Sequence, residues 1–292
     1  MKILRTPAEL TRELSLSRAK IKEGETIGFV PTMGGLHAGH LSLIRRSLSE
    51  NALTVVSVFL NPTQFNNPED LRTYPHDERE DLKLLESAGV DLAFLPTPEV
   101  IYKPGEKAPE LPLGRVAEVQ EGAFRPGHFQ GVVWIVGKLF RLVMPDKAYF
   151  GLKDFQQIAV IKRMIELSDD LRSIEIVPCP VVREADGLAM SSRNNRLSED
   201  ERRVAPKIFA ALKEAKRLKN EESKTVREVR EYVLWTLGAE PLLQVEYFSI
   251  CDGVTLEEIK DWSETNDPVG AITVYCGKVR LIDHITFGQD PA

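Results

Sequence analysis

Two of the five histidines in this chain of 292 residues, His37 and His40, stand three positions apart in Pro31-Thr32-Met33-Gly34-Gly35-Leu36-His37-Ala38-Gly39-His40. Side chains at that spacing share one helix face. An apolar run, Thr26-Ile27-Gly28-Phe29-Val30, precedes them, and an amphipathic run at 41–48 follows. The order predicted is strand, glycine-rich turn, helix. A helix N-terminus presents unpaired backbone N–H groups, and glycines let a ligand approach the backbone. The expected chemistry is a nucleotide-phosphate site with two imidazole donors. The competing readings are plain turn or capping residues, or a zinc site. No Cys pair or Glu-His cluster lies nearby to complete a zinc site.

Five further clusters carry reactive or polar side chains. Asn61-Pro62-Thr63-Gln64-Phe65 leaves an apolar run abruptly, and its Gln can both donate to and accept from a small polar substrate. Gly151-Leu152-Lys153-Asp154-Phe155-Gln156-Gln157 repeats the strand–glycine–helix theme. There Lys153 could place a charge on phosphate, or Asp154 could simply be an N-cap. The polar loop at 183–194 contains Met190-Ser191-Ser192-Arg193, which suits a polyphosphate through charge-assisted bonds or serves only as a linker. Arg125-Pro126-Gly127-His128 is a basic turn. Asp77, Glu80 and Asp81 follow Tyr74; one of them could help hold Mg²⁺, although a solvated helix face explains most of them.

The elements that must position these residues alternate. Apolar runs at 53–60, 92–96, 147–151 and 174–182 alternate with helical patterns at 77–88, 131–144 and 154–167. That alternation predicts a parallel sheet with crossover helices, with ligands beyond the carboxyl ends of its strands. After about residue 183 the pattern changes. A capping box at Ser198-Glu199-Asp200-Glu201 opens a predicted helix to about Leu218, and a second helix covers 225–237. Two β segments, 245–251 and 271–282, flank a predicted helical turn at 255–260. The expected organisation is α/β: residues 1–182 as a ligand-binding domain with a parallel sheet and 183–292 as a smaller α+β domain.

Composition narrows the function classes. The chain is 42% hydrophobic and 28% charged, as in ordinary globular proteins. A net charge of −6 argues against nucleic acid and acidic membranes as partners. No apolar stretch approaches a membrane span and no signal-peptide core is evident. Cys179, Cys251 and Cys276 are dispersed and odd in number, so buried thiols in a cytoplasmic protein are expected.

Taken together, PTMGGLHAGH at 31–40, NPTQF at 61–65, RPGHFQGV at 125–132, GLKDFQQ at 151–157 and READGLAMSSRN at 183–194 resemble the pantoate–β-alanine ligase family in order and spacing. The resemblance implies a nucleotidyltransferase-type Rossmann domain, a smaller C-terminal domain that closes over ATP, and a homodimer. It implies ATP-dependent condensation of (R)-pantoate with β-alanine through a pantoyl adenylate, with Mg²⁺. The carried-over ATP contacts are Met33, Gly34, Gly35, Leu36, His37, Ala38, Gly39, His40, Gly151, Leu152, Lys153, Asp154, Val182, Met190, Ser191, Ser192 and Arg193. Of these, His40, His37, Lys153 and Arg193 carry catalysis. Gln64 and Gln157 match pantoate-binding amides, with Tyr74, Arg125 and His128 close by. Asp81 matches the Mg²⁺-associated acid. Two alternatives remain: another nucleotidyltransferase sharing the histidine turn, which would adenylate a phosphate, or a regulatory ATP-binding protein. The amides favour a hydroxy-acid substrate over the first, and the intact His, Lys, Ser and Arg set argues against the second.

Overall fold

The computed structural model describes residues 1–288. Six strands form one sheet: β1 (Lys2–Leu4), β2 (Ile27–Thr32), β3 (Leu53–Val58), β4 (Leu92–Phe94), β5 (Lys147–Gly151) and β6 (Glu175–Cys179). Their spatial order is β1-β4-β3-β2-β5-β6 and every pairing is parallel. From β2 the chain steps outward through β3 to β4. It then returns to place β5 on the other side of β2, which makes a topological switch point. The Pro31–His40 turn leaves the carboxyl end of β2 there, and Gly151 ends β5.

The strands read as continuous apolar runs because both faces are covered. Phe29 packs edge-on against Phe140 of α4 (His128–Val143), with ring centroids 6.2 Å apart. Its neighbour Val30 faces the other way, into a cluster with Ile44 of α2 (Ala38–Glu50) and Leu85 of α3 (Glu78–Ala88). Helix α1 (Pro7–Arg18) opens with a capping box from Thr6, and α5 is Phe155–Glu166.

The second unit has α6 (Lys207–Glu222), α7 (Val226–Gly238) and an antiparallel sheet of β7 (Leu243–Asp252), β8 (Pro268–Cys276) and β9 (Val279–Thr286). Several expectations need correction here. The helix opened by Ser198 runs only over Glu199–Val204, and α6 restarts after Pro206, which has no N–H to continue the ladder. The predicted strand at 271–282 is a hairpin spanning β8 and β9, turning at Gly277-Lys278. Residues 255–260 are not helical: Glu258 bridges back to Cys251, while Asp252 Oδ1 accepts the Val254 and Thr255 N–H groups.

The units also divide less simply than at 182/183. The first comprises Met1–Leu113, Phe124–Leu152 and Gln157–Pro180. The second joins Gly114–Ala123 and Lys153–Gln156 to the chain from Val181 on, and residues 289–292 of the expected second domain lie outside the described residues. Two side chains account for the early segments. Gln156 donates to the Val116 and Val119 carbonyls (2.9 and 2.8 Å) and accepts the Glu121 N–H. Glu121, itself buried, accepts from Arg280, Tyr247 and Thr273. All three cysteines are buried and unpaired as disulfides. Among the described residues no helix is long and apolar enough to cross a membrane.

Candidate active site

His37 is the N-cap of α2, and its Nδ1 accepts the Gly39 N–H at 3.1 Å. The His37 N–H in turn reaches His40 Nδ1 at 3.3 Å, and the rings lie 4.2 Å apart, tilted by 50°. This is a capping box built from imidazoles instead of Ser and Glu. It changes the expectation drawn from helix geometry, because part of the first turn's N–H capacity is taken by His37. It also fixes chemistry. A neutral ring that accepts at Nδ1 carries its proton on Nε2, so both rings are Nε2–H donors. The turn ahead is shaped by Gly34 (φ +87°) and Gly35, and by Asp81. Asp81 Oδ2 accepts the Gly35 N–H at 3.0 Å and Oδ1 the Leu36 N–H at 2.7 Å. Burial pushes its carboxyl above the usual carboxylate range, and those two N–H bonds oppose the shift.

Asp81 therefore does not fit a dedicated Mg²⁺ ligand. It is buried, and each oxygen already serves a backbone donor. No group of three or more His, Cys, Asp or Glu among the described residues could hold a metal ion.

Gln64 closes a one-turn 3-10 helix, Pro62–Gln64, beyond β3. Its Oε1 accepts from Asn61 Nδ2 at 2.9 Å, and its Nε2 points at Met33 Sδ at 3.0 Å. The amide orientation is thus set by Asn61, which Tyr102 holds through Oδ1 at 2.7 Å. Burial raises the Tyr102 hydroxyl to about 12, so it stays a donor. The Arg125–His128 turn supports the same residue from behind. His128 Nδ1 meets the Gln64 carbonyl at 2.8 Å, Arg125 Nη2 reaches it at 3.3 Å, and Arg125 Nη1 meets His128 Nε2 at 3.2 Å. Arg can only donate, so His128 is protonated on Nδ1, the tautomer opposite to that of His37 and His40. Gly131 lets α4 come this close: a Cβ there would stand 2.3 Å from the Thr63 carbonyl oxygen. Tyr74 is buried edge-on against Phe65, with centroids 5.7 Å apart. Gln157 stands half-buried on the first turn of α5.

In the second unit, Val182 and Met190 are joined, the Met190 N–H donating to the Val182 carbonyl at 3.0 Å. Ser191 caps the short Ser192–Arg196 turn by accepting the Arg193 N–H. This loop is pinned by Arg183, whose guanidinium forks onto Asp283 (2.6 and 2.9 Å) and stacks 3.4 Å over the Phe209 ring. Lys153 and Asp154 form a 3.5 Å ion pair, and Phe155 beside them stacks on buried His284 at 5.3 Å. Burial lowers the His284 pKa, keeping the ring neutral. Asn61 lay within a recognised motif, but sequence reasoning assigned it no role. Asp283, His284 and Gln156 were missed, and only a burial pattern could have hinted at them.

The comparisons agree with this geometry. A family model described as pantoate-beta-alanine ligase matches residues 2–286. A pantothenate synthetase of Porphyromonas gingivalis W83 is 50% identical over 287 residues, covering 98% of this chain and 99% of that protein. The crystal structure of pantothenate synthetase from Thermus thermophilus superposes with a TM-score of 0.90 at 40% identity, covering 99% of this chain and all of that one. A Francisella tularensis pantoate-beta-alanine ligase complexed with beta-gamma ATP and beta-alanine matches at a TM-score of 0.77 and 33% identity, with each chain covered in full. With the histidine turn, the braced glutamine and the serine–arginine loop all present, the chain belongs to the pantoate–β-alanine ligase family, ligases that join pantoate and β-alanine into pantothenate with ATP.

Proposed function

We propose that the reaction runs through a pantoyl adenylate built in two steps. The pantoate carboxylate attacks the α-phosphorus of ATP, a P–O bond forms, and pyrophosphate leaves with the electron pair. The neutral amine of β-alanine then attacks the acyl carbonyl, forming the amide; AMP leaves, and the amine's extra proton passes to solvent or phosphate. No side-chain nucleophile is needed. The protein aligns carboxylate with phosphorus and stabilises charge on the phosphoryl oxygens.

One observation carries this reading: both imidazoles of the turn are held by backbone N–H groups at Nδ1. Their Nε2–H groups serve as preset hydrogen-bond donors to phosphate oxygens, that of His40 to the departing group, with each ring staying neutral. Met33, Gly34, Gly35, Leu36, Ala38 and Gly39 line the nucleotide beside them, with Gly151 and Leu152. Lys153 and Arg193 add positive charge, and Asp154, Val182, Met190, Ser191 and Ser192 complete the ATP set. Gln64 and Gln157 receive pantoate. The sulfur that Gln64 Nε2 meets is a weak acceptor, so a substrate oxygen replaces it at little cost. Arg125, His128 and Tyr74 serve pantoate by holding Gln64 and the adjoining wall. Mg²⁺ enters as the ATP complex, with phosphates and water as its ligands, as this ion commonly does. The residue 188–194 loop orders over ATP, and the enzyme works as a cytoplasmic homodimer.

The test is pantoate-dependent exchange of labelled pyrophosphate into ATP, with Mg²⁺ and without β-alanine. Exchange that needs pantoate is expected. Absent exchange, with ATP bound and no AMP formed even after β-alanine is added, overturns the adenylate route.

A further inference from the structure

We infer that Asp81 is a positioning residue of the nucleotide site, whose carboxylate sets the aim of His37 and His40 and does not act as a metal ligand. This rests on reading the turn as the phosphate site. Asp81 sits in the first turn of α3, yet it takes the N–H groups of Leu36 and Gly35, 45 and 46 residues away. The next N–H along the chain, that of His37, goes to His40 Nδ1. Three consecutive backbone donors are therefore fixed by two side chains, and the second of those is a catalytic imidazole. Any rotation of the turn must move the rings.

The fit leaves no slack. A Cβ at Gly34 would stand 3.0 Å from Asp81 Oδ2 and 3.3 Å from Val58 Cγ1. Only a carboxylate can accept both bonds. An Asn of the same size offers one acceptor and turns an NH₂ group toward the second backbone N–H. Asp81→Asn therefore breaks the clamp while conserving volume.

The experiment measures binding of an ATP analogue with a methylene bridge between the α- and β-phosphorus, by calorimetry, for the parent and Asp81→Asn. Each is titrated in EDTA and again in Mg²⁺. The variant is expected to bind about tenfold more weakly in both, as loss of a charge-assisted bond implies. Its Mg²⁺ half-saturation in turnover stays within about twofold of the parent, and so does its pantoate KM, while kcat falls. Weakening seen only with Mg²⁺, or a Mg²⁺ half-saturation shifted about tenfold, makes Asp81 a metal ligand and overturns the inference. Parent-like affinity and kcat overturn it too. Should the variant fail to fold, amide exchange on the unaltered protein decides: Gly35 and Leu36 are expected to be protected, and rapid exchange at both refutes the clamp. An analogue that fails to bind the parent overturns the phosphate reading itself, a result distinct from binding that ignores Asp81.

Discussion

The histidine turn and the serine–arginine loop are both assigned to the nucleotide, but they are held in different ways. The glycine–histidine part of the turn is held by four bonds whose donors are backbone N–H groups, two to its own imidazoles and two to Asp81 of α3. The loop is held instead by side-chain ion pairs, Asp186 to Arg202 near its exposed rim and Arg183 to Asp283, which spans 100 residues in a partly buried setting. A site built from nearby bonds is shaped early, once its own segment and α3 have folded. A site built on a distant pair is shaped only when the second unit is complete, so stability and function are coupled there.

The strongest way to break this contrast is Asp283→Ala. It strands the half-buried Arg183 guanidinium and is expected to cost about 3–5 kcal/mol. Chemical denaturation measures this, and a loss below about 1 kcal/mol makes the pair an ordinary surface contact. His40→Ala is next and opposite in kind. Turnover should fall about 10²–10³-fold, or roughly 2.7–4 kcal/mol in the barrier, with the melting temperature nearly kept. Near-parent kcat removes His40 from the chemistry. Gly131→Ala tests the braced Gln64, which lies between the two cases. The added methyl must push against the Thr63 carbonyl, and such overpacking costs about 1–3 kcal/mol. Pantoate KM should rise more than ATP KM, and equal rises would detach the brace from substrate choice.

The smallest effect concerns acid. His284 faces Asp283, Arg183, Asp154 and Lys153, and burial lowers its folded pKa. As pH falls from the unfolded value near 6.5, the unfolded chain takes up a proton that the fold refuses, so stability declines. His284→Asn should flatten this decline between about pH 7 and pH 5. A parallel decline in both proteins assigns it to other groups.

The same contrast explains what could be read in advance. The parallel sheet followed from apolar runs covered on both faces, and the histidine turn from its own ten residues. Pro206 was visible but outweighed by the helical pattern around it, although a missing N–H breaks any ladder. The β8–β9 hairpin was hidden because Gly277-Lys278 interrupts an otherwise apolar run by only two residues. His128 showed the limit most clearly: its motif marked the right neighbourhood, but only the Gln64 carbonyl at 2.8 Å reveals that it faces inward. Asp283 left no local signal, since its partner lies in a loop 100 residues earlier.

The threading of the chain has a consequence for its synthesis. Gly114–Ala123 and Lys153–Gln156, which bond to each other, emerge from the ribosome long before their partners in β7, β8 and β9. Glu121 must wait for Arg280, 159 residues later, which at about 5–20 residues per second is roughly ten to thirty seconds. During that interval the parallel sheet can assemble while Phe155 still lacks the His284 ring it stacks on. A nascent chain whose first unit is folded thus still lacks the Glu121–Arg280 pair and the Phe155–His284 stack of the second.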